Sequence, residues 1–154
     1  GLAACLRTLP GEYRAEFAAH RKFGAGTGVM DYALCGSVTG VWRVGQYTHA
    51  SFSRTVGGLP LAVAGNPVFP NGFIEFELKR PAGGGQAVIH GAPGFGPPEF
   101  AATLDGVRAV CRWDAAGRCE LPVRPGSDPV TLRLEKAGGA AYPGFRAVAV
   151  IAGG

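Results

Sequence analysis

The sequence has no long apolar run and few charged residues. No stretch approaches the ~20 consecutive apolar residues that a membrane-spanning helix requires. Charged residues make up only 17% of the 154 residues, whereas hydrophobic residues make up 47%. A chain with this balance buries enough apolar surface to fold, which intrinsically disordered segments cannot do. We therefore expect a folded domain with no membrane span, and we assign residues 1–154 to a single domain.

Segments with helical periodicity are nearly absent, and glycine is abundant. The 26 glycines disfavour helices and favour tight turns, but they lack the three-residue period of collagen. Only Glu12–Lys22 shows apolar spacing of three to four residues, through Tyr13, Phe17 and His20. This segment is compatible with one helix or with a strand followed by a loop.

Motifs for catalysis are also missing. The three histidines (His20, His49 and His90) lie in no metal-ligand spacing, and there is no G-x-S-x-G elbow. The glycine-rich segments lack the lysine of a phosphate-binding loop. Glu75 and Glu77 could form a glycosidase pair, but both alternate with apolar residues in a strand pattern, which favours solvated charge. We therefore expect a binding protein rather than an enzyme.

The net charge of +4 arises largely in the first third of the chain. These cations are scattered, and no recognition helix, aromatic-interleaved RNA motif or Lys/Arg run accompanies them, so nucleic acid is not an expected partner. An anionic polysaccharide would suit the same charge, although a solvated basic surface is the simpler interpretation.

The four cysteines have no C-x-x-C spacing, which argues against a zinc ribbon or a thioredoxin-like motif. Disulfides and an extracellular location are the favoured interpretation, and four buried thiols in a cytosolic protein are the alternative. Of the three pairings, Cys111–Cys119 is favoured because residues 113–117 offer a turn between two extended arms. Cys5 would then pair with Cys35 and tether the N-terminal segment. The start at Gly1, without Met or signal peptide, indicates a mature or excised piece of a larger, multidomain protein.

Short strands separated by turn signals account for most of the chain. In Phe73–Arg80, Ile74, Phe76 and Leu78 share one face, and glutamates share the other, which is typical of an antiparallel sheet with one wet side. Asp105-Gly106 is a strong two-residue hairpin signal. The extended segments lie near Val29–Leu34, Val38–Tyr47, Ser51–Val56, Leu59–Ala64, Phe73–Arg80, Gln86–His90, Phe100–Leu104, Val107–Trp113, Cys119–Val123, Val130–Lys136 and Arg146–Ile151.

About ten such strands predict an all-β, single-domain antiparallel β-sandwich of the jelly-roll type, tethered by disulfides. An immunoglobulin-like sandwich and a closed barrel are the alternatives. We predict Phe73–Arg80 and Gln86–His90 to be hairpin partners. The last strand is apolar on both faces, so we place it centrally in its sheet.

Aromatic residues in Gly- and Pro-bounded loops are the best ligand candidates. A sugar ring offers an apolar face and hydroxyl groups, which suit an aromatic ring beside polar side chains. For each aromatic, packing in the core is the competing interpretation. The candidates are Trp113, Asp114, Tyr142 and Arg146, with Asn71 as a weaker one.

The order of these pieces resembles galactose-binding-like jelly rolls, especially carbohydrate-binding modules of families 6 and 35. The resemblance rests on FIEFELKRPAGGGQAVIHGA, ATLDGV, and the run from Cys111 to Val150, together with EYRAEF at Glu12–Phe17. It covers about two thirds of the chain and consists of turn patterns shared by many sandwiches. It implies a lectin-like, secreted domain that binds a polysaccharide or glycan, with Trp113 matching the loop aromatic of the family.

The resemblance also implies a carboxylate for structural calcium at Glu16, but Ala147 or Val148 replaces the C-terminal Asp of the family. Calcium prefers six to eight oxygen ligands. We therefore expect no cofactor, with structural calcium as the one ion that the resemblance allows. An extracellular adhesion or protein-interaction domain, or a small jelly-roll polysaccharide-degrading enzyme, are the alternative functions.

Overall fold

A computed structural model describes residues 11–26, 28–36 and 43–153. One helix, α1 (Gly11–Gly24), is followed by twelve strands: β1 Val29–Leu34, β2 Gln46–His49, β3 Ser51–Val56, β4 Leu59–Ala64, β5 Phe73–Leu78, β6 Gly85–His90, β7 Glu99–Leu104, β8 Val107–Arg112, β9 Arg118–Val123, β10 Val130–Glu135, β11 Gly144–Phe145 and β12 Ala147–Ala152. The ambiguous segment Glu12–Lys22 is therefore helical. Among the described residues, no helix combines the length and the apolarity that a membrane crossing requires.

The strands form three antiparallel sheets. A five-stranded sheet has the order β2-β5-β10-β7-β8, and a four-stranded sheet has the order β1-β12-β6-β9. A small sheet, β11-β4-β3, completes the set. Apolar rows from all three sheets meet in one core, which includes Phe76, Phe100, Ile89, Val148 and Ala62. The predicted jelly-roll sandwich is confirmed, with twelve strands rather than about ten.

Local sequence signals set several of the pairings. β7 and β8 form the predicted hairpin, in which Asp105 and Gly106 have φ of 49° and 83°. Two residues with positive φ match the twist of the strands they connect. β12, the strand that is apolar on both faces, lies between β1 and β6 as expected. Its outer face is covered because Ala147 packs in a second cluster with Ala19 and Phe23 of α1.

The predicted hairpin between Phe73–Arg80 and Gln86–His90 is wrong. β5 pairs with β2 and β10, whereas β6 pairs with β12 and β9 in the other sheet. The Gly84 amide donates to the Pro81 carbonyl (3.0 Å) where the chain crosses between the sheets. Both strands direct an apolar row into the same core, so neighbours in sequence need not be neighbours in one sheet.

The predicted disulfides are not present in the structure. Cys35, Cys111 and Cys119 are free thiols, and Cys5 lies outside the described residues. Cys111 is on β8 and Cys119 on β9, which are edge strands of opposite sheets rather than arms of one hairpin. Desolvation is the main cause that raises the pKa of both thiols, that of Cys119 to about 12.

Candidate functional site

Aromatic side chains line the outer face of the five-stranded sheet where β2 and β5 meet. Across this ladder, Tyr47 is paired with Glu75 and His49 with Phe73. The Tyr47 and Phe73 rings are stacked with centroids 5.8 Å apart, and the His49 ring lies 5.5 Å from Phe73. Tyr47 is 62% exposed. An exposed ring with a packed neighbour offers a flat apolar surface in a fixed orientation.

Arg133 on β10 connects the aromatic side chains to two carboxylates. Its guanidinium carbon lies 3.6 Å from the centre of the Phe73 ring. Its nitrogens lie 3.6 Å from carboxylate oxygens of Glu75 and Glu135. Partly exposed ion pairs contribute little stability, but together with the ring they restrict the Arg133 rotamers. We call Tyr47, His49, Phe73, Glu75, Arg133 and Glu135 the aromatic platform.

The alternation of β5 and β10 places the platform on the outer face. Ile74 and Phe76 on β5, and Leu132 and Leu134 on β10, are fully or almost fully buried. Successive side chains of a strand point to opposite faces, so Phe73, Glu75, Arg133 and Glu135 point outward. Helix α1 contacts β1, β4 and β12, while exposed residues such as Tyr47, Glu77 and Thr131 occur along β2, β5 and β10.

Two loops extend the platform at the end of the sheet where β5 begins. Asn71 is exposed and precedes Phe73 by two residues. Lys136 follows Glu135, which is paired with Phe73, and its ammonium lies 4.8 Å from the centre of the Tyr142 ring. Tyr142 packs on Gly65, because a Cβ there would lie 3.0 Å from the Tyr142 ring. Asn71 therefore lies just before β5, and Tyr142 lies beside Lys136, just after β10.

The loop before β5 is held rigid by a side chain. The Asn66 carboxamide oxygen accepts the amides of Val68 (2.9 Å) and Phe69 (2.8 Å), and the Asn66 amide donates to the Phe69 carbonyl. Val68 and Phe69 are exposed. Such an Asx turn fixes the loop backbone without burying it, so two apolar side chains are presented to solvent beside Asn71.

Three other predicted ligand residues make intramolecular contacts. The Trp113 ring lies 4.3 Å from Phe100 and 5.8 Å from Phe145 between centroids, so this half-buried indole packs on the core. The Asp114 carboxylate accepts the amides of Ala116 and Arg118, both at 2.9 Å, and thereby fixes the turn between β8 and β9.

The Arg146 side chain also makes contacts within the protein. Its guanidinium donates to the carbonyls of Val56 (2.9 Å) and Leu59 (3.2 Å). Burial lowers the pKa of Arg146. The donors of this side chain are therefore directed at the β3–β4 turn rather than at solvent, and Tyr142 and Asn71 remain the better placed of the predicted residues.

The structure provides no set of calcium ligands around Glu16. In the described ranges, no group of three or more His, Cys, Asp or Glu side chains is arranged to hold a metal ion. Glu16 lies on α1, and its carboxylate lies 3.8 Å from the His20 ring nitrogen.

Comparisons with known proteins support the fold. No protein-family model matches the sequence, and no curated protein matches it. The CBM36-1 domain of a multidomain xylanase from the hindgut metagenome of Trinervitermes trinervoides superposes with a TM-score of 0.52 at 10% identity, over 80% of this chain and 97% of that domain. The resemblance to jelly-roll carbohydrate-binding modules is thus confirmed at the level of the fold.

Two further solved structures superpose on this chain with lower TM-scores. An exo-beta-1,3-galactanase from Phanerochaete chrysosporium matches 70% of this chain at 13% identity, with a TM-score of 0.48, and the chain spans 27% of that protein. A protein described for glycan recognition by the Ruminococcus flavefaciens cellulosome matches 81% of this chain and 97% of its own, at 12% identity with a TM-score of 0.43.

Proposed function

We propose that this chain is a non-catalytic, secreted carbohydrate-binding module that binds a glycan on the aromatic platform, with Tyr142 and Asn71 extending the surface. The observation that carries the proposal is the exposed Tyr47 ring stacked on Phe73 beside Glu75 and Arg133. A sugar ring stacks its C–H face on an aromatic ring while its hydroxyls bond to neighbouring charged groups. The jelly-roll fold is compatible with this function, but it does not specify the ligand.

The location and the setting in a larger protein belong to the same proposal. Secretion would bring the module to the polysaccharide that we propose it binds. A binding module of this size commonly acts beside another domain, and we propose this setting for the present chain as well.

Binding to soluble polysaccharides tests the platform. We expect Tyr47→Ala to weaken binding about tenfold, which corresponds to the loss of about 1.4 kcal/mol. Val107→Ala is the control, because Val107 is an exposed apolar residue on β8, which β10 and β7 separate from β5. Affinity electrophoresis and calorimetry measure the change. Equal retention of both variants, with both folded, would contradict the proposal.

A protein-interaction domain is the second candidate function. β8 is an edge strand, and its Val107 and Val110 side chains are exposed. An exposed edge can add a strand from another protein. Val110→Lys should then abolish the capture of a protein partner, and Tyr47→Ala should leave that capture unchanged. The reverse result, in which Tyr47→Ala removes all binding, would support the glycan function.

A further inference from the structure

The charge of the platform differs from that of the whole chain. The chain has a net charge of +4, but the platform has two carboxylates, Glu75 and Glu135, for one guanidinium, Arg133. Glu77 is the next outward residue of β5 and adds a third carboxylate. Lys79 and Lys136 lie just beyond the ends of β5 and β10.

Two other cations of the sheet lie at its far edge, and one of them, Arg112, is ion-paired with Glu99. Arg108 and Arg112 are on the edge strand β8, and they are separated from β5 by β10 and β7. The aromatic half of the outer face is therefore acidic in its centre, where a ligand would contact Tyr47.

The platform already contains one complete cation site. The guanidinium of Arg133 lies on the Phe73 ring, 3.6 Å from its centre, and carboxylates of Glu75 and Glu135 flank it at 3.6 Å. An aromatic face and adjacent carboxylates are the groups that bind organic cations in proteins. Here the protein supplies the cation itself.

The neighbouring ring repeats the arrangement without a cation. Tyr47 is directly opposite Glu75 in the β2–β5 ladder, and its ring is mostly exposed. Within the described part of the chain, cation–π contacts involve Phe23, Phe95, Phe73 and Tyr142, and none involves Tyr47. A ligand cation placed on Tyr47 would have a carboxylate within reach and an unoccupied aromatic face.

We infer that the glycan bound by the platform is an amino-sugar polymer with free ammonium groups, and this inference rests on the proposed function. The sugar ring stacks on Tyr47, and the ammonium group is neutralised by Glu75, with Glu77 adjacent. A uronic acid at the same position would place its carboxylate beside these glutamates and be repelled. The guanidinium of Arg133 is already flanked by Glu75 and Glu135, and Lys79 and Lys136 lie beyond the ends of β5 and β10.

The test uses three oligosaccharides of equal length: glucosamine, N-acetylglucosamine and galacturonic acid oligomers. Calorimetry is carried out at a mildly acidic pH at which the amines are protonated and the glutamates are ionised. We expect the glucosamine oligomer to bind about threefold to thirtyfold more tightly than its N-acetylated counterpart. High salt should reduce this ratio, and the galacturonic acid oligomer should bind most weakly.

Variants separate the charge inference from the proposed function. Glu75→Gln should bring the ratio between the glucosamine and N-acetylglucosamine oligomers close to one, while Glu120→Gln, an exposed carboxylate on β9, should leave it unchanged. A ratio of one in the wild type, tighter binding of the galacturonic acid oligomer, or a ratio that survives Glu75→Gln would overturn the inference. Failure of the proposed function has a different signature, because then Tyr47→Ala changes the binding of none of the three oligosaccharides.

Discussion

Arg133 lies over the ring of Phe73, with 3.6 Å between its guanidinium carbon and the ring centre. The two residues are on adjacent strands, β10 and β5, but they are not directly paired, since Glu75 is the partner of Arg133 and Glu135 the partner of Phe73. The contact is therefore diagonal, a geometry that long side chains on a sheet can span. It orders the centre of the platform before any ligand binds.

Removing this contact should cost a small amount of stability. We expect Arg133→Ala to lower the free energy of unfolding by about 0.5–1 kcal/mol, the usual value of an exposed cation–π contact. Arg108→Ala on β8 is the control. Among the described residues its guanidinium makes one long hydrogen bond, to the Ala137 carbonyl (3.3 Å), so this variant should change stability by less. Urea denaturation measures both. Equal losses would show that Arg133 contributes only as a generic surface residue.

Trp113 and Tyr142 should separate stability from binding. Because the Trp113 ring packs on Phe100 and on Gly91, where a Cβ would lie 2.8 Å from the indole, Trp113→Ala should lower the unfolding free energy by about 2–4 kcal/mol. The folded protein should still bind glycan. Tyr142→Ala should do the opposite, with weaker binding and a smaller effect on stability. Loss of glycan retention in Trp113→Ala with unchanged stability would return Trp113 to the binding surface.

The strands were predictable from the sequence because the alternation of apolar and polar residues and the turn signals are local features. Ile74, Phe76 and Leu78 define the buried face of β5, and Asp105-Gly106 defines the turn between β7 and β8. Pairing across the sandwich is not local. The partner of β5 is β10, more than fifty residues later in the chain, and no short signal distinguishes it from β6.

The platform was missed although its signal was present. In Phe73–Leu78, Phe73 and Glu75 are two residues apart and therefore point to the same face, which places an aromatic residue on the charged face. Tyr47 and His49 likewise share one face of β2. The position of Trp113 in a loop predicted a ligand contact there instead. A tryptophan in a short turn can fold back on the core, and the small Gly91 beneath it leaves room for this.

Cys111 and Cys119 should stay reduced and react slowly with alkylating reagents in the folded protein. Both are free thiols on edge strands of opposite sheets. Burial is the main cause that raises the pKa of both, so little reactive thiolate is present at neutral pH. Unfolding in urea should speed the alkylation of both residues, which mass spectrometry measures. A cross-link between Cys111 and Cys119 in the native protein would contradict this expectation.

His90 should make the stability depend on pH in mildly acidic solution. Its ring lies 4.7 Å from Phe23 of α1 between centroids. Burial, followed by the charges of Arg118 and Lys22, lowers the pKa of His90 to about 4, while Asp114 acts in the opposite direction. The unfolded chain has an ordinary histidine pKa near 6.5. Between about pH 6.5 and 4, the unfolded state therefore binds a proton that the folded state does not.

The stability contributed by neutral His90 is complete above the unfolded pKa and is lost as the pH falls toward the folded pKa. We expect the unfolding free energy of the wild type to decrease from pH 7 to pH 5, before most carboxylates titrate. The unfolding free energy of His90→Gln should decrease less over the same pH range. His49→Gln, whose ring is on the exposed platform, should follow the wild type. Identical slopes for wild type and His90→Gln in urea denaturation would show that His90 is protonated equally in both states.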